Sequence, residues 1–430
     1  MTDHWLAKTV YNGLVLPLGS AGARAAGLFR PKIRESFRGQ SGWPERWRAA
    51  AGALPGRPVW FHVSSVGEYE QAKPIISALY ENYSHIPVVL TFCSPSGYRF
   101  ALKREQAAGK NNITLIDYKP IDSARNTARC LDLLNPRLLV FVKFDLWPNL
   151  IWTAVSKSIP TVLVDGTLSE TSKRVSGLTR RFYRSVYEAL DRIMAIGPED
   201  AQRFLETAPD HPAVTVTGDT RFDRVLERRR QQKQPAIGFA RDDRLTLIAG
   251  STWPKDEIHI MPALSRILDQ HQNTRLVIAP HEPTAYRVAA LEAWASSSGF
   301  SAVRLSRGAG PAHRVIIVDS VGILAELYAF CDLAYIGGSF STGVHSVIEP
   351  AIMGIPVLFG PVHQNSLEAR QILKLGAGTL VTDSKQAFDA FHRLVLETRR
   401  RLVMGTAARR YVESQLGATR RCLDTLSEYL

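Results

Sequence analysis

Short apolar runs bounded by turn residues recur along the whole chain, and they constrain the fold more than any other feature. In the first half they fall at Val59–Val63, Val88–Thr91, Ile113–Ile116, Leu138–Val142, Thr161–Val164, Ile193–Ile196 and Val214–Val216. Helix-like stretches such as Glu70–Asn82 and Ser123–Leu134 lie between most of them. The runs are continuous rather than alternating, so both faces of each strand must be covered. Such strands, alternating with helices, build a parallel sheet with helices on both sides. After a polar stretch, Arg221 to Arg244, the pattern resumes at Leu245–Ala249, Arg275–Ala279, Val315–Val318, Leu333–Ile336, Val357–Phe359 and Thr379–Val381. The expected fold class is α/β, with two Rossmann-like domains.

A chain of 430 residues also exceeds one ordinary core. The expected division is an N-terminal segment over 1–40, a first Rossmann-like domain over 41–220, a linker over 221–244, a second Rossmann-like domain over 245–383 and a helical tail over 384–430. Cys93, Cys130, Cys331 and Cys422 are widely spaced, and no CxxC pair occurs, so neither a zinc site nor a disulfide framework is expected. The net charge of +13 favours a polyanionic partner: nucleic acid, an anionic membrane or a phosphorylated substrate.

No stretch reaches the roughly 20 unbroken apolar residues of a membrane-spanning helix. The best candidate, Trp5 to Phe29, is interrupted by Lys8, Asn12, Pro17 and Arg24. It reads as an interfacial anchor, with Trp5, Val10, Tyr11, Leu14, Val15 and Leu16 toward lipid and Arg24, Arg30, Lys32, Arg34 and Arg38 toward headgroups. A helix packed on its own domain is the alternative.

In open parallel sheets, ligands sit beyond the carboxyl ends of the strands, and two such domains put the expected site in a central cleft. The residues after each strand are therefore the candidates. Ser65 and Gly67 make a turn after the first run, and Glu68 opens the next helix, whose positive end would keep the carboxylate ionised as a base; on spacing alone Glu68 equally fits an acid that only complements the helix dipole. Ser94-Pro95-Ser96-Gly97 cradles a phosphate or simply caps a helix. Lys143 and Asp145 follow a buried strand and either pair with each other or bind something. Lys173, Arg174, Arg180, Arg181 and Arg184 hold lipid phosphates or form a solvated helix face.

In the second half, Ser251 and Thr252 follow a strand, as does His281-Glu282. Ala285 breaks the HExxH spacing, so His281 reads as a phosphate-side hydrogen-bonding group rather than a zinc ligand. The most specific stretch is Gly337-Gly338-Ser339, then His345, then Glu349-Pro350. The expectation is a strand running into glycines and a helix starting near His345, with backbone N–H groups for one phosphate and Glu349 for the ribose hydroxyls.

At these residues the chain resembles the family of 3-deoxy-D-manno-octulosonic acid (Kdo) transferases, in order and over roughly Lys32 to Thr382. His62 to Glu68 is similar to the family's His-x-x-Ser-x-Gly-Glu segment, Ser94 to Gly97 to its Thr-Pro-Thr-Gly turn, and Asp145 to Asn149 to its acid-x-Trp-Pro-Asn motif. Leu168 to Ser172, Gly218 to Asp223 and Gly337 to Pro350 match three further segments. The sequence departs at Lys143, where many members carry a glutamate, and at Ala279-Pro280, where they carry an arginine.

The resemblance implies a GT-B architecture and inverting transfer of Kdo from CMP-Kdo to a lipid A precursor, at the cytoplasmic face of the bacterial inner membrane. It implies Glu68 as catalytic base, with Asp145 as the second acid. Ser251, Thr252, His281, Gly337, Gly338, Ser339, His345 and Glu349 would hold the nucleotide. Ser65, Ser96, Lys143, Ser169, Arg174, Arg180 and Arg181 would face the acceptor. A single-phosphate leaving group needs less charge compensation than a diphosphate, so no cofactor and no essential metal are expected. Three other functions stay open on the residues alone: a GT-B enzyme using a UDP-sugar with a different lipid or glycan acceptor, a basic protein binding nucleic acid, for which no recognised motif is present, and a relative that binds nucleotide without transferase activity.

Overall fold

The computed structural model describes residues 2–109, 112–211, 213–231, 242–310 and 312–430. The chain forms two compact units. One is Met1–Arg224 with Leu416–Leu430; the other is Val225–Gln415.

The first unit carries β1 (Val59–Val63), β2 (Val88–Phe92), β3 (Ile113–Tyr118), β4 (Leu138–Val142), β5 (Thr161–Gly166), β6 (Arg192–Ala195) and β7 (Val214–Val216). They form one parallel sheet in the order β3-β2-β1-β4-β5-β6-β7. Successive side chains of a strand point to opposite faces. Trp60, Leu139 and Phe141 accordingly enter one core with Trp47 and Tyr187, while Phe61 and Val140 enter another with Ile75, Cys422 and Leu426.

The second unit repeats the plan with β8 (Leu245–Thr252), β9 (Thr274–Pro280), β10 (Ala302–Arg304), β11 (Val315–Ile317), β12 (Leu333–Ile336), β13 (Val357–Phe359) and β14 (Gly378–Leu380). Its parallel order is β10-β11-β9-β8-β12-β13-β14. In each sheet the strand order turns back at one place: β1 lies between β2 and β4, and β8 lies between β9 and β12. Ligand sites in such sheets form at these switch points.

Several expectations change. The stretch read as a linker begins with a helix, Thr220–Gln231; residues 232–241 lie outside the described residues. The helices expected as one tail divide: Ser384–Leu396 and Thr398–Ser414 belong to the second unit, and Ala418–Leu426 to the first. That return is fixed by Asp223, whose carboxylate accepts from Gly417 N at 2.7 Å and Thr419 N at 2.6 Å.

The N-terminal segment runs as the helix Thr2–Val10, a π-turn Tyr11–Val15 and the helix Leu16–Phe29. Trp5, Leu14, Leu18 and Phe29 are 69%, 56%, 64% and 84% exposed. Tyr11 is not among them. It is buried against Trp152 and Phe182, and its hydroxyl donates to Asp122 at 3.0 Å, so it docks the segment onto its own unit. Leu16 packs against the same core. Among the described residues no helix is long and apolar enough to cross a membrane.

Candidate active site

The switch point of the first sheet gathers the side chains that follow β1, β2 and β4. His62 is fully buried near the end of β1. Its Nδ1 lies 2.9 Å from Thr91 Oγ1, and its Nε2 lies 3.2 Å from Asp145 Oδ2. The Trp60 indole donates to Thr91 Oγ1 at 2.8 Å, which leaves the threonine proton for His62 Nδ1. Nε2–H of His62 then donates to Asp145, joined there by Trp147 Nε1 at 3.0 Å. Burial pushes the His62 pKa down and keeps the ring neutral. Burial alone would raise Asp145, but the hydrogen bonds from His62 and Trp147 outweigh it and hold the carboxyl below its usual range. The Lys143–Asp145 pair that the sequence also allowed is therefore not the one formed. Lys143 takes φ +67° and sets its ammonium 5.2 Å from the Phe144 ring.

Glu68 lies in the first turn of the helix Val66–Asn82, which Ser65 caps through Glu68 N at 3.4 Å. Its carboxylate accepts from Ser64 N. The expected effect of the helix end is overridden: burial pushes the Glu68 carboxyl up to about 7, and the nearby Asp145 charge adds to it, against the pull of Ser64 N–H and Lys143. The pair of carboxyls thus divides into Asp145, held ionised, and Glu68, poised near neutrality.

Other residues assigned from sequence sit around this cluster with plainer roles. Ser96 is exposed and bonds Ser94 at 2.8 Å; Ser169 is exposed and bonds Thr171 at 3.0 Å. Arg174 reaches back to the Phe144 carbonyl at 2.7 Å and covers the Tyr183 ring at 4.9 Å. Arg180 donates to the Glu206 carbonyl, and Arg181 is exposed. Lys119 was not singled out from the sequence, yet it is buried with its ammonium 3.7 Å from the Trp147 ring and 3.7 Å from Asp122.

Ligand-type atoms of His62, Cys93 and Asp145 lie within 4.8 Å of one another. A cation there would have to displace two protons, because His62 Nε2–H is committed to Asp145 and burial pushes the Cys93 thiol up to about 12.

In the second unit the switch point joins the ends of β8 and β12. A Cβ on Gly337 would stand 2.2 Å from the Ser251 carbonyl oxygen, so only glycine permits this approach, and Ser251 itself takes φ +54°. Gly338 turns at φ +82°. Three N–H groups of this turn are already engaged. Gly337 N donates to Gly250 O at 2.8 Å, Gly338 N to Asp256 Oδ2 at 2.8 Å, and Phe340 N to Asp256 Oδ1 at 3.2 Å. Ser339 is fully buried, donating to Ile336 O at 2.9 Å and accepting from Gly360 N at 2.7 Å. Asp256, which the sequence reading missed, is fully buried and also accepts from Tyr335 Oη at 2.9 Å and Trp253 N at 2.9 Å. The carboxylate occupies the anion position that the glycines were expected to offer. Its signal was Pro254 followed by Asp256, a helix start with an acid at its third residue.

The helix expected to begin near His345 begins at Ile348 and runs only to Ile352. Pro350 is the third residue of that helix, in the first turn, where its missing N–H costs no helical hydrogen bond. His345 and Glu349 therefore do not share a helical face; Glu349 accepts from Ser346 Oγ. Thr252 Oγ1 donates to Glu257 at 2.9 Å. What converges here is aromatic: the His281 ring stacks on Trp253 at 4.6 Å and on His345 at 4.4 Å. Burial, with His281 adding to it, lowers the His345 pKa.

Comparison with known proteins agrees with the two-sheet plan. Residues 41–224 match the family model described as 3-deoxy-D-manno-octulosonic-acid transferase (kdotransferase). The chain is 30% identical over 401 residues to the 3-deoxy-D-manno-octulosonic acid transferase of Bordetella pertussis, covering 90% of this chain and 91% of that protein. It is 27% identical to the enzyme of that name from Haemophilus influenzae, covering 88% and 89%. The UDP-GlcNAc 2-epimerase of Neisseria meningitidis superposes with a TM-score of 0.62 at 16% identity, covering 86% of this chain and 100% of that one. MurG of Acinetobacter baumannii does so with a TM-score of 0.55 at 15% identity, covering 87% and 100%. These two share the fold alone, and the fold is GT-B. The chain belongs to the 3-deoxy-D-manno-octulosonic acid transferase family and is a glycosyltransferase.

Proposed function

We propose that this enzyme transfers Kdo from CMP-Kdo to a lipid A precursor in lipopolysaccharide synthesis, with inversion at the anomeric carbon. The observation that carries the mechanism is the buried Glu68 carboxyl, raised to about 7 beside an ionised Asp145. A base is most effective when its pKa lies near the working pH. Glu68 takes the proton from the acceptor hydroxyl as that oxygen bonds to the anomeric carbon. The bond from that carbon to the phosphate oxygen breaks, and CMP leaves with the electron pair.

Asp145 stays ionised and adds to the burial that keeps the Glu68 pKa high; it does not take the proton. His281 and His345 serve the CMP phosphate, while Gly337, Gly338 and Ser339 shape the turn instead of binding it. Ser251 and Thr252 border the same ligand, and Glu349 takes the ribose. Lys143, Arg174 and Arg181 face the acceptor's phosphates, and the reaction needs no metal. The exposed Trp5, Leu14, Leu18 and Phe29, with the basic residues after them, support work at an anionic membrane surface on the cytoplasmic side.

The test is transfer from CMP-Kdo generated in situ to a tetraacylated lipid A precursor, comparing the wild type with Glu68→Ala. Product from the wild type and near-complete loss in the variant, with CMP binding kept, support the reading. Equal activity removes Glu68 from the mechanism. No product from either, with CMP still bound, moves the search to other acceptors and sugars.

A further inference from the structure

Trp253 ends the β8 turn and precedes the helix Pro254–Gln270. Its backbone N–H is held by Asp256 at 2.9 Å, which fixes the root of the side chain. Its indole Nε1 donates to His345 Nε2 at 3.1 Å. The His281 ring lies over both partners, within 25° of the Trp253 plane and 11° of the His345 plane. A Cβ on Gly338 would stand 2.9 Å from Cδ2 and 3.0 Å from Nε2 of His345, so that edge of the imidazole is set against backbone.

An indole N–H can only donate. The Nε2 lone pair of His345 is therefore committed to accepting, and the single proton of the imidazole belongs on Nδ1. A second proton, on Nε2, would set N–H against N–H. We infer that Trp253 is a positioning residue: it holds His345 in the Nδ1–H tautomer, so that Nδ1–H is the donor offered to the phosphate of a nucleotide. The nucleotide part rests on the function proposed above. The tautomer part rests only on the geometry. His281 on the ring face and Asp256 at the root of Trp253 are the titratable groups whose charges act on His345.

The experiment uses the full chain with ring-15N histidine, the His345 resonances being identified by their loss in His345→Gln. At neutral pH the wild type is expected to show protonated Nδ1 and unprotonated Nε2. Trp253→Phe keeps a stacked ring and removes the donor; it is expected to move His345 toward Nε2–H and to weaken CMP binding about tenfold. Trp253→His restores the donor, because imidazole Nε2, like indole Nε1, lies two bonds from Cγ; it should recover both signals. A wild-type His345 carrying its proton on Nε2 overturns the inference, as does Trp253→Phe with an unchanged spectrum. The expected spectra without any CMP binding by the wild type keep the tautomer lock and overturn the nucleotide reading.

Discussion

His62 and Asp145 meet through Nε2 and Oδ2 at 3.2 Å, with His62 wholly buried and its other nitrogen set by Thr91. The proton order runs from Trp60 through Thr91 and His62 to the carboxylate, so one hydroxyl fixes the whole line. Thr91→Val would orphan the Trp60 donor and the His62 acceptor together. At ~1–3 kcal/mol for each buried orphan, the unfolding free energy should fall by about 2–6 kcal/mol. Chemical denaturation measures this. A midpoint equal to wild type would mean that the line is not made.

Glu68 predicts a pH dependence of both rate and stability. As a base it must be ionised, so kcat/KM should rise with pH through about 7 and then level. For stability, a carboxyl pKa raised by folding contributes fully below its ordinary value of 4.5, and that contribution is lost as pH rises through about 7. Glu68→Gln should therefore lose ~100- to 10,000-fold in rate. It should also melt progressively higher than wild type as pH goes from 5 to 8. A rate profile flat across that interval would exclude Glu68 as the base.

Asp256 ties four donors from two stretches of chain, Trp253 and the run from Tyr335 to Phe340. Asp256→Ala should destabilise the second unit by roughly 3–5 kcal/mol, because it leaves buried N–H groups unpaired. A calorimetric scan should show a lowered transition for that unit, and CMP affinity should fall with it because Trp253 loses its tether. A scan superimposable on wild type would show that the turn holds itself.

The exposed residues of the N-terminal segment give a fourth test. Replacing Trp5, Leu14, Leu18 and Phe29 by serine should reduce co-sedimentation with phosphatidylglycerol vesicles at least tenfold. Binding by the parent chain should weaken with added salt. Tyr11→Phe should leave vesicle binding intact, since Tyr11 faces Asp122 and not solvent. Unchanged sedimentation of the serine variant would place the membrane contact elsewhere.

The parallel strands were legible because apolar runs buried on both faces need no periodicity to be seen. β10 escaped because Ala302, Val303 and Arg304 form a short, half-buried edge strand at the rim of its sheet. Glu68 and Asp145, after β1 and β4, were legible as candidates, whereas Lys119, the His62–Asp145 contact and the electrostatics were not. Nothing near Glu68 in sequence says that burial would outweigh the helix end, because that depends on the packing of β2 and β4. The glycine turn misled for a related reason. Gly337 and Gly338 read as a phosphate cradle, whereas the anion that Gly338 and Phe340 hold, Asp256, lies far upstream in the chain. The start of the helix at Ile348 suits Pro350 in its first turn, but Pro74 and Pro262 lie inside longer helices, so the proline did not outweigh the His345–Glu349 spacing.

Cys422 and Leu426 are fully buried among the β1 and β4 side chains of the first unit, although the whole of the second unit is inserted before them. Domains fold in the order in which they leave the ribosome. Here that order is inverted: the unit begun first is completed last. The contiguous second unit can fold while the first still lacks the helix Ala418–Leu426. Until that helix arrives, the apolar face behind His62 and Glu68 stays open, so a nascent or C-terminally clipped chain holds His281 and His345 in a finished unit and Glu68 in an unfinished one.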